Sequence, residues 1–204
     1  MSGSHTVRLA IGLLMLLPLP LPARPQSPPR ATINARELIA AAVAQTRSQV
    51  TYDGSYRRIA YPGGDVPESI GVCTDLVIRA YRRVGVDLQV EVHEDMKRAF
   101  GSYPQLWGMS RPDPNIDHRR VPNLQALFRR SGAELPPSRD SAAYRPGDLV
   151  TWMLPGNLPH IGIVASDTSR AGTPLVVHNI GRGPEIEDAL FSYRITGHYR
   201  YRTR

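Results

Sequence analysis

The sequence has one cysteine, Cys73, and one lysine, Lys97. A single cysteine leaves no internal disulfide to form. In an exported chain such a cysteine is a reactive thiol or an intermolecular bridge, the plain alternative being a buried inert side chain. With so little lysine, the net charge of +7 is carried almost wholly by arginine. The arginines are scattered, with no basic tract, so no nucleic-acid partner is expected despite a pI of about 10.0. After the first thirty residues no apolar stretch is long enough to span a membrane. No internal repeat is found. His93-Glu94-Asp95 lacks any recognised ligand spacing, so neither a metal nor another cofactor is expected.

A length of 204 residues favours one domain, and 41% hydrophobic residues supply a core. The first residues differ in kind. His5 and Arg8 precede the apolar run Leu9–Leu17, and the prolines between Pro18 and Ala23 break any helix. This reads as a signal peptide over residues 1–23, or else an uncleaved anchor. Residues 24–32 read as a linker and 33–204 as the folded domain. The leader implies a periplasmic or secreted protein. Its basic surface would meet anionic envelope polymers first. A monomer with no stable membrane span after leader removal is expected.

Residues 34–50 read as a helix that Asn34 caps, with Glu37 three residues on. Cys73 to Val84 is a second helix, because Leu76, Val77, Ala80, Tyr81 and Val84 share one face and Gly85 follows. Val90 to Phe100 is a third. Asn123 is expected to cap a fourth through Arg130. Tyr52–Pro67 and Gly101–Val121 read as loops. From Tyr144 the texture turns to strands: Leu149–Met153, His160–Ser166, Leu175–Ile180 and Tyr193–Tyr201. Helices first and antiparallel strands after make an α+β domain.

Cys73 opens its helix, where free N–H groups and the dipole favour an anion. The expectation is a thiol of lowered pKa, with nearby N–H groups for an oxyanion. Of six histidines, His160 is the best base, since it opens an apolar strand after a loop. If the strands about 160–166 and 174–180 pair symmetrically, residue 162 faces His178. His178 then lies diagonally beside His160, close enough for ring contact, and orients it. A slip of one residue would bring Asn179 there instead. Asp75 reads as a first-turn carboxylate beside the nucleophile. Asp117, His118 and Arg119 read either as a substrate-binding loop cluster or as a salt-bridged turn, and Trp107 as a core lid or a ligand platform.

Several of these segments resemble one family. Val72-Cys73-Thr74-Asp75-Leu76-Val77, with Tyr81 and Gly85, resembles the nucleophile helix of NlpC-type cell-wall peptidases. Arg145-Pro146-Gly147-Asp148-Leu149-Val150 looks like their turn and strand before the catalytic histidine. Pro159-His160-Ile161-Gly162-Ile163-Val164 is similar to their histidine strand, and Val176-Val177-His178 to the strand carrying their third polar residue. Tyr61-Pro62-Gly63-Gly64 resembles the tyrosine and paired glycines upstream of their cysteine. A closer resemblance is to an exported bacterial family of unknown function within that superfamily. It rests on Gly71-Val72-Cys73-Thr74-Asp75, on Asn115-Ile116-Asp117-His118-Arg119-Arg120-Val121-Pro122-Asn123-Leu124, and on Gly147-Asp148-Leu149-Val150.

The resemblance implies a papain-like fold and a Cys-His-His hydrolase acting on an amide of a cell-wall peptide or related envelope substrate. It places the Tyr61 hydroxyl near the oxyanion. Val72 stands where the family usually has Asp, and Thr74-Asp75 where it has Ser-Gly. These departures keep open a thiol acyltransferase or a lipid-linked amide or ester hydrolase on the same fold. A non-catalytic envelope-binding domain is the third reading.

Overall fold

The computed structural model describes Gly3 and residues 32–203, so the leader apart from Gly3, and the linker up to residue 31, lie outside the described residues. Asn34 accepts a hydrogen bond from the Arg36 N–H at 2.9 Å and starts α1, Ala35–Ala44. This helix is shorter than expected: a 3-10 turn at Gln45–Arg47 ends it. The chain then turns into β1, Thr51–Tyr52, which pairs in parallel with β2, Ile70–Gly71. That short ladder sets Tyr52 beside Gly71, two residues before Cys73.

The nucleophile helix is α2, Cys73–Arg83. Its expected face is the buried one, with Leu76, Val77, Ala80 and Tyr81 in the core; each large apolar side chain so buried contributes about 1.5–3 kcal/mol. Asp87 caps α3, Leu88–Ala99, by accepting from the Gln89 N–H at 3.0 Å. The fourth helix corrects an expectation. α4 runs Val121–Arg130, so Asn123 lies inside the first turn and is not its cap. Pro122 fits that first turn, where its missing N–H costs nothing. The Asn123 side chain instead donates to the Asp117 carbonyl at 3.1 Å.

Six strands follow: β3 Glu134–Leu135, β4 Leu149–Leu154, β5 Leu158–Thr168, β6 Pro174–Asn179, β7 Pro184–Glu187 and β8 Arg194–Tyr199. They form one antiparallel sheet in the order β3-β8-β4-β5-β6-β7. Strand alternation gives the sheet two apolar faces. Leu149, Ile161, Ile163, Val177 and Tyr199 pack with Leu38, Leu76, Val77, Leu124 and Phe128 of the helices. On the other face Val150, Trp152, Val164 and Val176 gather with Tyr144 and Leu190. The domain is α+β, with helices laid on an antiparallel sheet. β3 and β7 were not expected from the sequence: one is two residues long and the other only four. Among the described residues no helix is long and apolar enough to cross a membrane.

Candidate functional site

Cys73 is the first residue of α2 and is 3% exposed. The turn that holds it is built by charge. Asp75 reaches back to accept the Val72 N–H at 2.7 Å, and a Cβ at Gly71 would lie 3.2 Å from the Asp75 Cβ, so the close approach favours glycine there. Arg119 grips Asp75 with two bonds, Nε to Oδ1 at 2.8 Å and Nη2 to Oδ2 at 2.9 Å. The same guanidinium donates to the Ser55 and Asp53 carbonyls, both at 3.1 Å, and the Thr74 hydroxyl donates to the Arg119 carbonyl at 2.9 Å. One buried arginine thus ties the start of α2 to the loop after β1. A buried pair of this kind specifies geometry more than it adds net stability.

The thiol lies near the peptide joining His160 to Ile161: the Ile161 N–H and the Tyr52 hydroxyl both favour its thiolate form. Here the structure corrects an expectation. Burial pushes the Cys73 thiol up to about 11; the Ile161 N–H and the Tyr52 hydroxyl pull it down, Asp75 pushes it up further, and the Thr74 N–H lowers it. A helix N-terminus is worth about 0.3–1 kcal/mol, less than roughly one pKa unit. Full burial shifts a group by several units and prevails.

On the sheet, Gly162 faces His178 across β5 and β6, the symmetric register. His160 and His178 are therefore diagonal neighbours, with His160 Nε2 and His178 Nδ1 2.8 Å apart. A Cβ at Gly162 would lie 2.6 Å from Val176 Cγ1 and 3.0 Å from the His178 Cβ, so the crowding explains a glycine between the two rings. Both histidines are 1% exposed, and the Trp152 ring packs beside them. Burial, and then His178, drive His160 down to about 3. His178 is also lowered by burial, while Glu187 draws it back up. At neutral pH the site holds a neutral thiol and neutral imidazoles.

Other expected residues lie elsewhere. The Tyr61 hydroxyl donates to Glu94 at 2.9 Å and its ring packs on His93, so it is not the tyrosine at the thiol. That place belongs to Tyr52, which the sequence reading left in a loop; a two-residue parallel bridge leaves no periodic signal. Asn179 is buried and accepts from the Gly181 N–H at 3.1 Å, closing the turn after β6. Asp117, His118 and Arg119 are buried, and two of them form ion pairs, Arg119 with Asp75 at 2.8 Å and Asp117 with Arg120 at 3.2 Å. Asp117 accepts from the Asp113 N–H at 2.6 Å and burial raises its carboxyl. Burial pushes His118 down to about 4. Trp107 is half-exposed beneath the Arg120 guanidinium, 4.0 Å from the ring centroid.

A second residue that the sequence reading missed is Glu187. On β7 it lies diagonally across from His178, and its Oε2 is 3.1 Å from His178 Nε2. Arg182 holds its other oxygen at 2.7 Å. The signal was present: Gly181-Arg182-Gly183 followed by the alternating Glu185-Ile186-Glu187 is a hairpin pattern. Among the described residues no three metal-ligating side chains gather. A cleft lined by Gln45, Ser48, Arg79, Arg82 and Arg83 does not include the Cys73 site.

The comparison with known proteins gives the family of this chain. The chain is 48% identical to an uncharacterized protein, YijF, of Escherichia coli (strain K12) over 202 residues, 96% of this chain and 98% of that protein. Among solved structures, NlpC1 from Trichomonas vaginalis is similar with a TM-score of 0.46 and 13% identity, over 85% of this chain and 46% of that one. The chain thus spans less than half of that protein's length. Residues 39–201, which include Cys73, His160, His178 and Glu187, match the family described as a domain of unknown function, DUF1287, and the chain belongs to it.

Proposed function

We propose that this protein is an exported papain-like cysteine hydrolase that cleaves an amide in a cell-wall peptide. The observation that carries the reading is the His160–His178 contact of 2.8 Å, on the strand whose backbone touches the Cys73 thiol. A helix-borne thiol, an imidazole and a second polar ring that orients it are the parts of a thiol triad, recognised by role and not by position.

In this reading Cys73 Sγ attacks the substrate carbonyl carbon. The thiol proton passes to His160 Nδ1, the ring nitrogen left once Nε2 faces His178. The Ile161 and Thr74 N–H groups and the Tyr52 hydroxyl, which favour a thiolate, are the donors that this reading assigns to the developing oxyanion. The C–N bond breaks, and the amine leaves with the proton from His160. Water, deprotonated at the same nitrogen, then hydrolyses the thioester. Because thiol and imidazole both rest neutral, proton transfer accompanies the attack and no ion pair waits beforehand. Cys73 is 3% exposed, so in this reading substrate reaches it only as the side chains over it give way.

The test is digestion of purified peptidoglycan by the protein beside Cys73→Ala, with products read by mass spectrometry. New muropeptides that vanish in the variant support the reading and identify the bond. Identical products from both proteins would sink it.

A further inference from the structure

Two diagonal contacts cross the end of the sheet in a row, and an arginine closes them. His160 on β5 meets His178 on β6 at 2.8 Å. His178 meets Glu187 on β7 at 3.1 Å. Arg182, in the turn between β6 and β7, holds Glu187 at 2.7 Å and Glu185 at 2.9 Å. The order matters because a carboxylate only accepts hydrogen bonds, whereas a neutral imidazole has one donor and one acceptor nitrogen.

The assignment follows by elimination. Glu187 accepts, so His178 carries its proton on Nε2. His178 Nδ1 is then an acceptor, so His160 must donate from Nε2. His160 Nδ1 is left as a bare lone pair. Nδ1 is the nitrogen bonded to Cγ, on the backbone side of the ring, and the thiol lies near the backbone between His160 and Ile161. We infer that Glu187 is a positioning residue: it sets the tautomers of both histidines, through His178, and leaves His160 Nδ1 as the unprotonated nitrogen, the one that the hydrolase reading needs as base. Without Glu187 either tautomer of His178 satisfies the contact, and half of the arrangements put the proton on the wrong nitrogen of His160. Both rings rest neutral under burial, so the tautomer is what decides the site's readiness. The carboxylate also faces the positive charge that the histidine pair gains once His160 is protonated.

The catalytic consequence rests on the hydrolase reading above; the tautomer assignment does not. The test therefore has two readouts on the full-length protein. The first is long-range nitrogen–proton NMR of histidine-labelled protein, with His160 and His178 assigned by single substitutions. The expected pattern is Nε2–H on both rings, giving way to mixed tautomers in Glu187→Ala and kept in Glu187→Asp.

The second readout is acylation of Cys73 by p-nitrophenyl acetate. The Sγ–acetyl bond forms, the ester C–O bond breaks, p-nitrophenolate leaves and the thiol proton goes to His160. The rate is expected to fall about 10-fold or more in Glu187→Gln, since loss of an orienting carboxylate misplaces the tautomer. It should fall less in Arg182→Ala and recover in Glu187→Asp. A proton on His178 Nδ1 in the unaltered protein, or tautomers and rates unmoved in folded Glu187→Ala, would overturn the inference. Tautomers that respond as expected beside a Cys73 that ester never acylates would uphold the positioning role and sink the hydrolase reading.

Discussion

Two histidine–carboxylate networks share this sheet, and only one leads anywhere. Near the start of β4, Asp148 is fully buried. It accepts from Arg200 at 2.8 Å through each oxygen and from the Arg145 N–H at 2.9 Å, and it bonds His198 Nε2 at 2.7 Å. The remaining nitrogen of His198 is buried with no hydrogen-bond partner, and the ring lies 4.3 Å from the Tyr144 ring. Glu187 at the other end is part-exposed and holds its histidine more loosely, at 3.1 Å. Yet the second nitrogen of His178 passes to His160, on the strand that touches the thiol. A tight imidazole–carboxylate pair is thus not itself a reactive site. The first network ends in a closed turn and serves the fold. The second is a chain with an open nitrogen at its end.

The largest expected effect is kinetic. His160→Ala should slow acylation of Cys73 by p-nitrophenyl acetate about 10²–10⁴-fold, the usual contribution of a general base. His198→Ala should leave the rate per folded molecule within roughly two-fold. Equal losses in both would erase the distinction. Stability should show the reverse order. Asp148→Ala strands a buried histidine and a half-buried arginine, and urea denaturation should show a loss of about 3–5 kcal/mol. Glu187→Ala, on the sheet edge beside the exposed Arg182, should cost no more than about 1 kcal/mol.

A smaller effect follows from pH. Folded His160 takes a proton only near pH 3, against a usual 6.5. Between those values the unfolded chain binds more protons, so His160's share of stability is complete above pH 6.5 and shrinks as the pH falls toward 3. That share amounts to about 2 kcal/mol between pH 6.5 and pH 5. Denaturation curves of His160→Asn should be flatter by that amount. His118, lowered to about 4 by burial, adds a slope of the same sign in both proteins. The smallest effect is at Tyr52. Its hydroxyl favours the thiolate, so Tyr52→Phe should raise the Cys73 pKa and slow iodoacetamide alkylation about 2–10-fold, the worth of one hydrogen bond. Faster alkylation in the variant would mean that Tyr52 acts only as a cover.

Much of this was legible in the chain. The face of α2 and the four longer sheet strands followed from spacing, because a helix repeats every 3.6 residues and a strand every two; of the two registers left open for His178 and Asn179, the structure has the symmetric one. The Cys73, His160 and His178 positions came from the same local patterns together with the family resemblance. Other placements did not follow. Tyr61 carried the motif, but Tyr52 holds the place at the thiol, through a two-residue bridge that has no period to read. Arg119 read either as a substrate-binding residue or as part of a salt-bridged turn of its own loop, whereas it clamps Asp75, 44 residues away in sequence.

What the sequence by itself determined is the periodic part: which side chains face the core, and that a lone cysteine opens an amphipathic helix while two histidines share a face of neighbouring strands. Only the tertiary structure decided the protonation state of those groups, because burial sums over every neighbouring segment and here outweighs the helix dipole. Only it joined Glu187 to His178, since that contact exists across a strand pairing and not along the chain.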